Sequence, residues 1–143
     1  MYITQISVFL ENKKGRIKEI TQTLSDANLN IRALSIAETK DFGVVRMILN
    51  QPEEAYKVLK NQGLVVRKTD VLAIEVEDQP GGLNGVLSVL EDNNINVEYL
   101  YSFVEKATEK ALMVMRFENI AQALKILQAK NISLVAPEQI YTL

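Results

Sequence analysis

Two short segments of the chain carry residue types that could hold a small charged molecule. The first runs from Glu11 to Ile17 (Glu-Asn-Lys-Lys-Gly-Arg-Ile) and the second from Glu77 to Leu83 (Glu-Asp-Gln-Pro-Gly-Gly-Leu). Each contains a glycine, Gly15 or Gly81, at the start of a predicted helix, and glycine lets a ligand come close to the backbone. The unpaired amides and partial positive charge of a first helical turn suit a carboxylate or a phosphate.

Four amide and carboxylate side chains could bind the opposite charge. The oxygens of Asn12 and Asp78 in these loops, and of Asn30 and Asn96 just after the helices, can accept hydrogen bonds from an ammonium group. A zwitterion would then be matched at both of its charged ends. A structural interpretation stays open, because such glycines often meet only a backbone requirement and Asp78 could cap its helix.

The composition narrows the chemistry further. The 143 residues include no His and no Cys, which excludes Ser/His/Asp and Cys/His nucleophiles, structural zinc sites and disulfides. With 48% hydrophobic and 24% charged residues the chain is typical of a soluble globular protein. We therefore expect no catalytic residues, no metal and no cofactor, and a binding or regulatory role in place of an enzyme.

Charge and hydropathy bear on partners and location. With a net charge of −2 the protein has no positive field that would attract a polyanion, so we expect no nucleic-acid partner. The longest strictly apolar run, Ala111–Met115, is far shorter than the roughly 20 residues that cross a bilayer. No basic stretch followed by an apolar one opens the sequence, so we expect a cytoplasmic protein without a membrane partner.

An internal repeat organises the chain. A shift of 66 positions superposes Gln5–Ile36 on Val71–Ser102 without a gap. Farther on the shift becomes 68, which leaves a small insertion around Glu105–Lys110 in the second copy. Six pairs are identical, namely Glu11 and Glu77, Gly15 and Gly81, Leu24 and Leu90, Asp26 and Asp92, Asn28 and Asn94, and Asn30 and Asn96.

Both copies show the same order of periodicities. An alternating strand leads to a helix with an apolar stripe, clearest at Leu83, Val86, Leu87 and Leu90. Asn28 and Asn94 suit the left-handed residue after such helices. Two strands, a second helix and a last strand follow, and Gln139–Leu143 is predicted as a short extra strand. The pattern predicts an α+β fold: two ferredoxin-like βαββαβ domains in tandem, residues 1–69 and 70–143, with antiparallel sheets packed on helices.

These features together resemble a tandem pair of ACT domains, over nearly the whole chain. The second loop, from Asp78 to Leu83, follows the D-x-P-G-x-L pattern of that family, whereas the first has Lys14 where proline is usual. ACT domains are small ligand-binding modules on or beside enzymes of amino-acid metabolism. In them an amino acid lies between the loop of one domain and the start of the second strand of its neighbour.

The resemblance implies two sites at the interface between the repeats, of which we favour the second. Such a protein would be a non-catalytic regulatory sensor of a free amino acid that controls an enzyme of amino-acid metabolism in trans. It would also form a homo-oligomer, most simply a dimer. The first site would combine Asn12, Gly15, Arg16 and Ile17 with Asn96, and the second Asp78, Gly81, Gly82 and Leu83 with Asn30.

Two other functions share this fold. In a nucleic-acid-binding module, Lys40–Val45 would form the central strand motif, but Val44 stands where a base-stacking ring is needed. In an acyl-phosphate hydrolase, Arg16 and Asn30 would orient water. That alternative ranks last, because the chain has neither the glycine-rich signature nor a histidine.

Overall fold

The computed structural model describes residues 1–105 and 109–143. Their α+β architecture is that of two βαββαβ units, which confirms the predicted fold class. The elements are β1 (Ile3–Glu11), α1 (Arg16–Asp26), β2 (Ile31–Glu38), β3 (Phe42–Leu49), α2 (Pro52–Asn61), β4 (Val65–Val76), α3 (Gly82–Asp92), β5 (Val97–Ser102), β6 (Ala111–Phe117), α4 (Ile120–Ala129), β7 (Leu134–Val135) and α5 (Pro137–Tyr141).

The backbone contacts divide the chain into two compact units. The N-terminal unit consists of Thr4–Thr69 together with Thr142. The C-terminal unit consists of Met1–Ile3, Asp70–Tyr141 and Leu143. The division falls inside β4, so Thr69 and Asp70, which lie on either side of the predicted domain boundary, are part of one strand.

In the N-terminal unit, β3 pairs antiparallel with both β1 and β2. Alternate residues of β1 and β3 point toward the helices, and Met47 lies opposite Ile6 on one side and Leu34 on the other. The apolar stripes of α1 and α2 cover this face. The resulting core is fully buried at Ile6, Val8, Ile20, Leu24, Val45, Met47, Leu49, Ala55 and Leu59.

The C-terminal unit repeats this arrangement. Strand β6 pairs antiparallel with β4 and β5, and the short β7 pairs with β4 through Ala73 and Val135. Helices α3 and α4 bury their stripes on the face that carries Leu72 and Met115. Their core includes Leu72, Ile74, Val76, Val86, Leu90, Met115, Phe117, Ala123 and Leu127.

Left-handed residues follow the four long helices. Asn28 and Asn94 both have φ of 57°, which confirms the structural role predicted from their shared identity. Asn131 after α4 has the same φ, and Gly63 after α2 has φ of 81°. These four positions show that the asparagines of the repeat end helices and need no ligand to explain them.

The C-terminal residues differ from the prediction. The strand expected at Gln139–Leu143 is wrong, because Pro137–Tyr141 forms α5. Pro137 suits a first helical position, and the Gln139 side chain accepts a hydrogen bond from the Ala136 amide at 3.3 Å, as in a capping box.

Two further observations complete the fold. The insertion predicted around Glu105–Lys110 includes residues 106–108, which lie outside the described residues. Among the residues that the structure describes, no helix has both the length and the apolar composition needed to cross a bilayer.

Candidate functional site

The two loop glycines take the same backbone conformation at equivalent places. Gly15 is the N-cap of α1 with φ of 90°, and Gly81 is the N-cap of α3 with φ of 85°. A Cβ at either residue would meet no atom within 4 Å, so the left-handed φ alone requires glycine there. The repeat therefore conserves a turn geometry that starts a helix without a capping side chain.

The N-cap residues of α1 and α3 give no side-chain hydrogen bond to the first turn, although the first amide of each helix donates to a loop carbonyl, that of Arg16 to Lys13 at 3.3 Å and that of Gly82 to Gln79 at 3.0 Å. Gly15 and Gly81 have no side chain to accept a hydrogen bond, whereas Asn119 at the start of α4 accepts one from the Gln122 amide at 3.1 Å. Helix α3 also has no acidic residue in its first turn, while α1 has Glu19. The partial positive charge at the start of α3 is therefore offset less by side chains of its own helix than the charge at the start of α1.

Asn12 fastens the first loop to the turn between β2 and β3. Its amide Nδ2 donates to the Thr39 carbonyl at 3.1 Å, and also to the Lys40 carbonyl and a Glu38 carboxylate oxygen at 3.4 Å. Its backbone amide donates to the Asp41 carbonyl at 2.9 Å. All three of these hydrogen bonds are donated by Nδ2, so Oδ1 is the atom with which Asn12 could accept a hydrogen bond from a ligand.

The charges of the first loop are paired locally. Lys13 Nζ lies 2.8 Å from Glu11 Oε2, and Arg16 Nη1 lies 2.8 Å from Glu19 Oε1 on the same helix. The Lys13 ammonium lowers the pKa of the Glu11 carboxyl, first through their hydrogen bond and then through charge attraction. Arg16 is therefore held along α1, and Ile17 beside it is 43% exposed.

The Glu11 carboxyl is expected to titrate below the ordinary glutamate range, and its pKa should rise into that range in Lys13→Met. Because the folded pKa is the lower one, the contribution of this pair to stability is present above the unfolded pKa and is lost as pH falls through the folded pKa. A carbon-detected NMR titration measures the midpoint. Lys14→Met is the matched control and should leave the Glu11 midpoint in place, whereas an unchanged midpoint in Lys13→Met would contradict the assignment.

The second loop is shaped by a close backbone approach. The amide of Gly82 donates to the Gln79 carbonyl at 3.0 Å, and a Cβ on Gly82 would overlap the backbone oxygen of Glu77. The equivalent residue of the first loop is Arg16, which carries a Cβ. The two loops therefore differ in shape beside their shared left-handed glycine.

An acidic depression borders the second loop. It has a volume of about 340 Å³ and is lined by Asp78 together with Glu75, Glu77, Gln79, Glu109 and Lys110. The ammonium of Lys110 lies 3.1 Å from Glu77 Oε1. The carboxylates around Asp78 favour a positively charged group, and the role of Asp78 in binding an ammonium group stays a prediction.

Asn30 and Asn96 occupy equivalent positions, and both are exposed. The Asn30 amide donates to Asn50 Oδ1 at 3.1 Å, and its carbonyl accepts from the Asn50 amide at 3.3 Å. The Asn96 carbonyl accepts from the Glu118 amide, also at 3.3 Å. These contacts fix the backbone of both residues, so their side chains can vary without loss of the turn.

Within one unit, the loop glycine and the start of the second strand lie at opposite ends of a helix. Helix α1 separates Gly15 from Asn30, and α3 separates Gly81 from Asn96. Eleven residues of helix span about 16 Å. Each loop keeps its own predicted residues together, but no unit by itself brings a loop glycine to the asparagine of the same repeat. The pairing across repeats stays a prediction.

Arg116 is a candidate binding residue that the sequence analysis missed. It lines, with Asn96 and the start of α4, a depression of about 650 Å³. Its Nε lies 3.7 Å from Glu98 Oε1, and its Nη1 donates to the Asp70 carbonyl at 3.3 Å. The sequence could have singled out Arg116, because the shift of 68 pairs this arginine with the apolar Ile48 of the first repeat.

Among the described residues, no cluster of three or more Asp, Glu, His or Cys could hold a metal ion.

Comparisons with known proteins place the chain in a family. The model of the ACT domain pair matches residues 1–143. The crystal structure of protein BT0572 from Bacteroides thetaiotaomicron is 40% identical, with a TM-score of 0.92, over 100% of this chain and 98% of that one. A search of the curated proteins found no match.

More distant structures share the fold. The regulatory subunit of aspartate kinase from Thermus thermophilus, in a ligand-free form, is 12% identical with a TM-score of 0.63, over 88% of this chain and 91% of that one. Aspartokinase III of E. coli, in complex with lysine and aspartate, is 15% identical with a TM-score of 0.53, over 90% of this chain and 31% of that one. From the family match over its whole length and the doubled βαββαβ fold, the chain belongs to the ACT domain pair family.

Proposed function

We propose that this protein is a non-catalytic regulatory module that binds a free amino acid between its two ACT repeats. The observation that carries the proposal is the duplicated helix start, in which a left-handed glycine begins α1 and α3 without a capping side chain. Family membership supports it, and so do two proteins that share the fold, a regulatory subunit of aspartate kinase and an aspartokinase in complex with lysine and aspartate.

The proposed ligand is a zwitterion. Its carboxylate would meet the first-turn amides of a helix, and its ammonium would meet side-chain oxygens of aspartate and asparagine. One site would use Asp78, Gly81, Gly82 and Leu83 with Asn30, and the other Asn12, Gly15, Arg16 and Ile17 with Asn96. A few hydrogen bonds to charged groups, less the cost of capture, correspond to a dissociation constant of roughly micromolar to millimolar.

The two sites should differ in affinity. The start of α3 carries no acidic residue in its first turn, and Asp78 lies in a depression lined by further carboxylates. The first loop carries Lys13, Lys14 and Arg16, and Asn12 is already engaged with the neighbouring turn. We therefore place the stronger site at the second loop.

Regulation requires a partner. A ligand shifts a conformational equilibrium only by its different affinity for the two states, so a signal arises when another protein prefers one of them. We propose that the ACT pair acts in the cytoplasm and that its partner is an enzyme of amino-acid metabolism, which it controls in trans. The chain itself would catalyse no reaction.

Calorimetric titration with each of the twenty amino acids tests the proposal. Heat of binding with one or a few of them, together with a raised melting temperature, is the expected result. Absence of both effects with all twenty would refute amino-acid binding. Salt-sensitive binding of a random single-stranded RNA would instead favour the nucleic-acid alternative.

Asp78→Ala and Asn30→Ala should each weaken binding at the second site by about 1–3 kcal/mol, because each removes a hydrogen bond to a charged group. Stability should change by no more than about 0.5 kcal/mol, since both residues are exposed. Calorimetry measures the affinity and urea unfolding the stability.

Matched controls are Asp92→Ala and Asn61→Ala, which truncate exposed side chains of the same types at the ends of α3 and α2. Both should bind the ligand normally. Normal binding by Asp78→Ala and Asn30→Ala as well would show that the site lies elsewhere.

A further inference from the structure

One face of the N-terminal sheet carries two exposed phenylalanines. Phe42 is 64% exposed and Phe9 is 41% exposed. Phe9 of β1 lies opposite Val44 of β3, two residues along that strand from Phe42. Because Val45 is buried in the core beneath the helices, its neighbour Val44 and both rings stand on the opposite face of the sheet. Two rings on neighbouring strands therefore point away from α1 and α2.

Guanidinium groups accompany the rings on this face. The Arg67 guanidinium in β4 lies 5.3 Å from the centroid of the Phe9 ring. An arginine in this position is attracted by the ring and still has N–H groups in its plane that can donate to an oxyanion. Arg46 lies on the same face, opposite Ser7 in the register of β1 and β3. The face thus combines aromatic rings with two fixed positive charges.

The second repeat lacks this combination at the equivalent positions. Phe9 corresponds to Glu75, Phe42 to Lys110 and Arg67 to Val135. Both repeats nevertheless fold into βαββαβ units. The fold therefore does not require the two rings and the arginine, and they give the N-terminal unit a surface of its own.

The start of β3 matches part of a nucleic-acid-binding pattern. The segment Lys40–Met47 agrees with the central strand motif of RNA-recognition domains at four positions, Lys40, Phe42, Gly43 and Val45. Val44 stands where that motif has a further ring. The structure places Phe9 of the neighbouring strand opposite Val44, so a second ring is present on the same face although β3 does not supply it.

We propose that this face binds single-stranded RNA. One base would stack on Phe42, a neighbouring base would stack against the Phe9–Arg67 pair, and Arg46 and Arg67 would bind backbone phosphates. Diagonal neighbours on paired strands lie about 7–8 Å apart, so two bases of one strand can each meet a ring. Every base has a π-face, and stacking on rings and guanidinium planes holds a single strand without reading its sequence.

The charges of the face decide how such binding depends on salt. The net charge of −2 predicts no nucleic-acid partner, but contacts at one face depend on the charges of that face. Arg46 and Arg67 are positive, and Glu11, which shares the face, is paired with Lys13 at 2.8 Å. Few phosphates would be contacted, so stacking should carry most of the affinity and the salt dependence should be modest.

Fluorescence anisotropy of short labelled oligouridine and oligoadenosine RNAs, titrated with the full chain, tests the proposal. Saturable binding of both is expected, weakening several-fold between about 50 and about 200 mM salt. Polyphosphate, which has charge but no bases, should compete poorly. Absence of saturable binding would overturn the proposal, and so would competition by polyphosphate as strong as that by unlabelled RNA.

Variants that remove a ring but keep an apolar side chain separate stacking from apolar contact. Phe42→Leu and Phe9→Leu should each raise the dissociation constant for RNA about fivefold or more, whereas Phe42→Tyr should bind as the wild type does. Val104→Ala truncates an exposed apolar side chain of the C-terminal unit and should leave the constant unchanged. Circular dichroism checks that each variant folds. Wild-type affinity in both folded leucine variants would contradict stacking on these rings.

The arginine has its own test. Arg67→Gln should weaken RNA binding and reduce its dependence on salt, because one phosphate contact is lost. Lys125→Gln removes an exposed or half-exposed positive charge from α4 and should leave the slope against salt as in the wild type. An equal slope for Arg67→Gln and the wild type would exclude Arg67 from the phosphate contacts.

The RNA surface does not rest on amino-acid binding. It shares no residue with either proposed amino-acid site, and the RNA titrations contain no amino acid. Amino-acid binding by Phe42→Leu should therefore equal that of the wild type in calorimetry. RNA binding in a protein that binds no amino acid would refute only the proposed sensor, and amino-acid binding without RNA binding would refute only the RNA surface.

Discussion

Leu90→Ala is expected to lower the free energy of unfolding by about 2–5 kcal/mol. Leu90 is 1% exposed and lies in the apolar stripe of α3, within the core that includes Leu72, Met115 and Phe117. Truncation removes buried methyl groups and leaves a cavity that close-packed neighbours fill only in part. Urea unfolding followed by circular dichroism measures the change.

The repeat supplies comparisons for this experiment. Leu24 is the equivalent residue of α1 and is also 1% exposed, so Leu24→Ala should cost a similar amount in the N-terminal unit. Leu87→Ala, on the same helix but only partly buried, should cost less. A cost below about 1 kcal/mol for Leu90→Ala would mean that the α3 stripe does not hold the core as its burial indicates.

The repeated residues explain why so much of the fold could be predicted. The stripe formed by Leu83, Val86, Leu87 and Leu90 has the helical period, and all four pack in the C-terminal core. Asn28 and Asn94 mark helix ends because few other residues tolerate a positive φ. Patterns of this kind are local, and the same pattern occurring twice at one spacing makes each instance more reliable.

Other features depend on contacts that no local pattern carries. Ser7 and Ala73 alternate with apolar neighbours, which predicts strands with one solvent-facing side, yet they are 6% and 1% exposed. A small residue in a strand gives no indication of whether its face will be covered. Helix α5 was missed for a related reason, since five residues are too few to show a period, and Pro137 and the Gln139 cap mark only its start.

The candidate site was predictable in its parts but not in its assembly. The left-handed Gly15 and Gly81 follow from their identity at the repeat spacing. The engagement of Asn12 with the β2–β3 turn does not, because its partners are 26 to 28 residues away in the sequence. Arg116 was overlooked because it departs from the repeat, and departures of this kind are where two similar domains can differ in what they bind.

Gly82→Ala is expected to destabilise the protein by about 1–3 kcal/mol and to weaken ligand binding at the second loop. An alanine Cβ would overlap the backbone oxygen of Glu77, so the loop or the start of α3 must move. The overlap involves main-chain atoms on both sides, which a side-chain rotation cannot relieve. Thermal and urea unfolding give the stability, and calorimetry with the identified amino acid gives the affinity.

Alanine substitutions of two other glycines in this segment, Gly81 and Gly85, serve as references for Gly82→Ala. Gly81→Ala meets no atom within 4 Å but keeps φ of 85°, so it should cost about 1–2 kcal/mol through backbone strain alone. Gly85→Ala, inside α3 with open space around its Cβ, should stabilise the helix by about 0.5–1 kcal/mol. Both effects come from the backbone, whereas that of Gly82 comes from contact with Glu77. If Gly82→Ala proved as stable as Gly85→Ala, the loop would not approach α3 as closely as the structure has it, and the shape of the second loop, where we propose the stronger site, would be wrong.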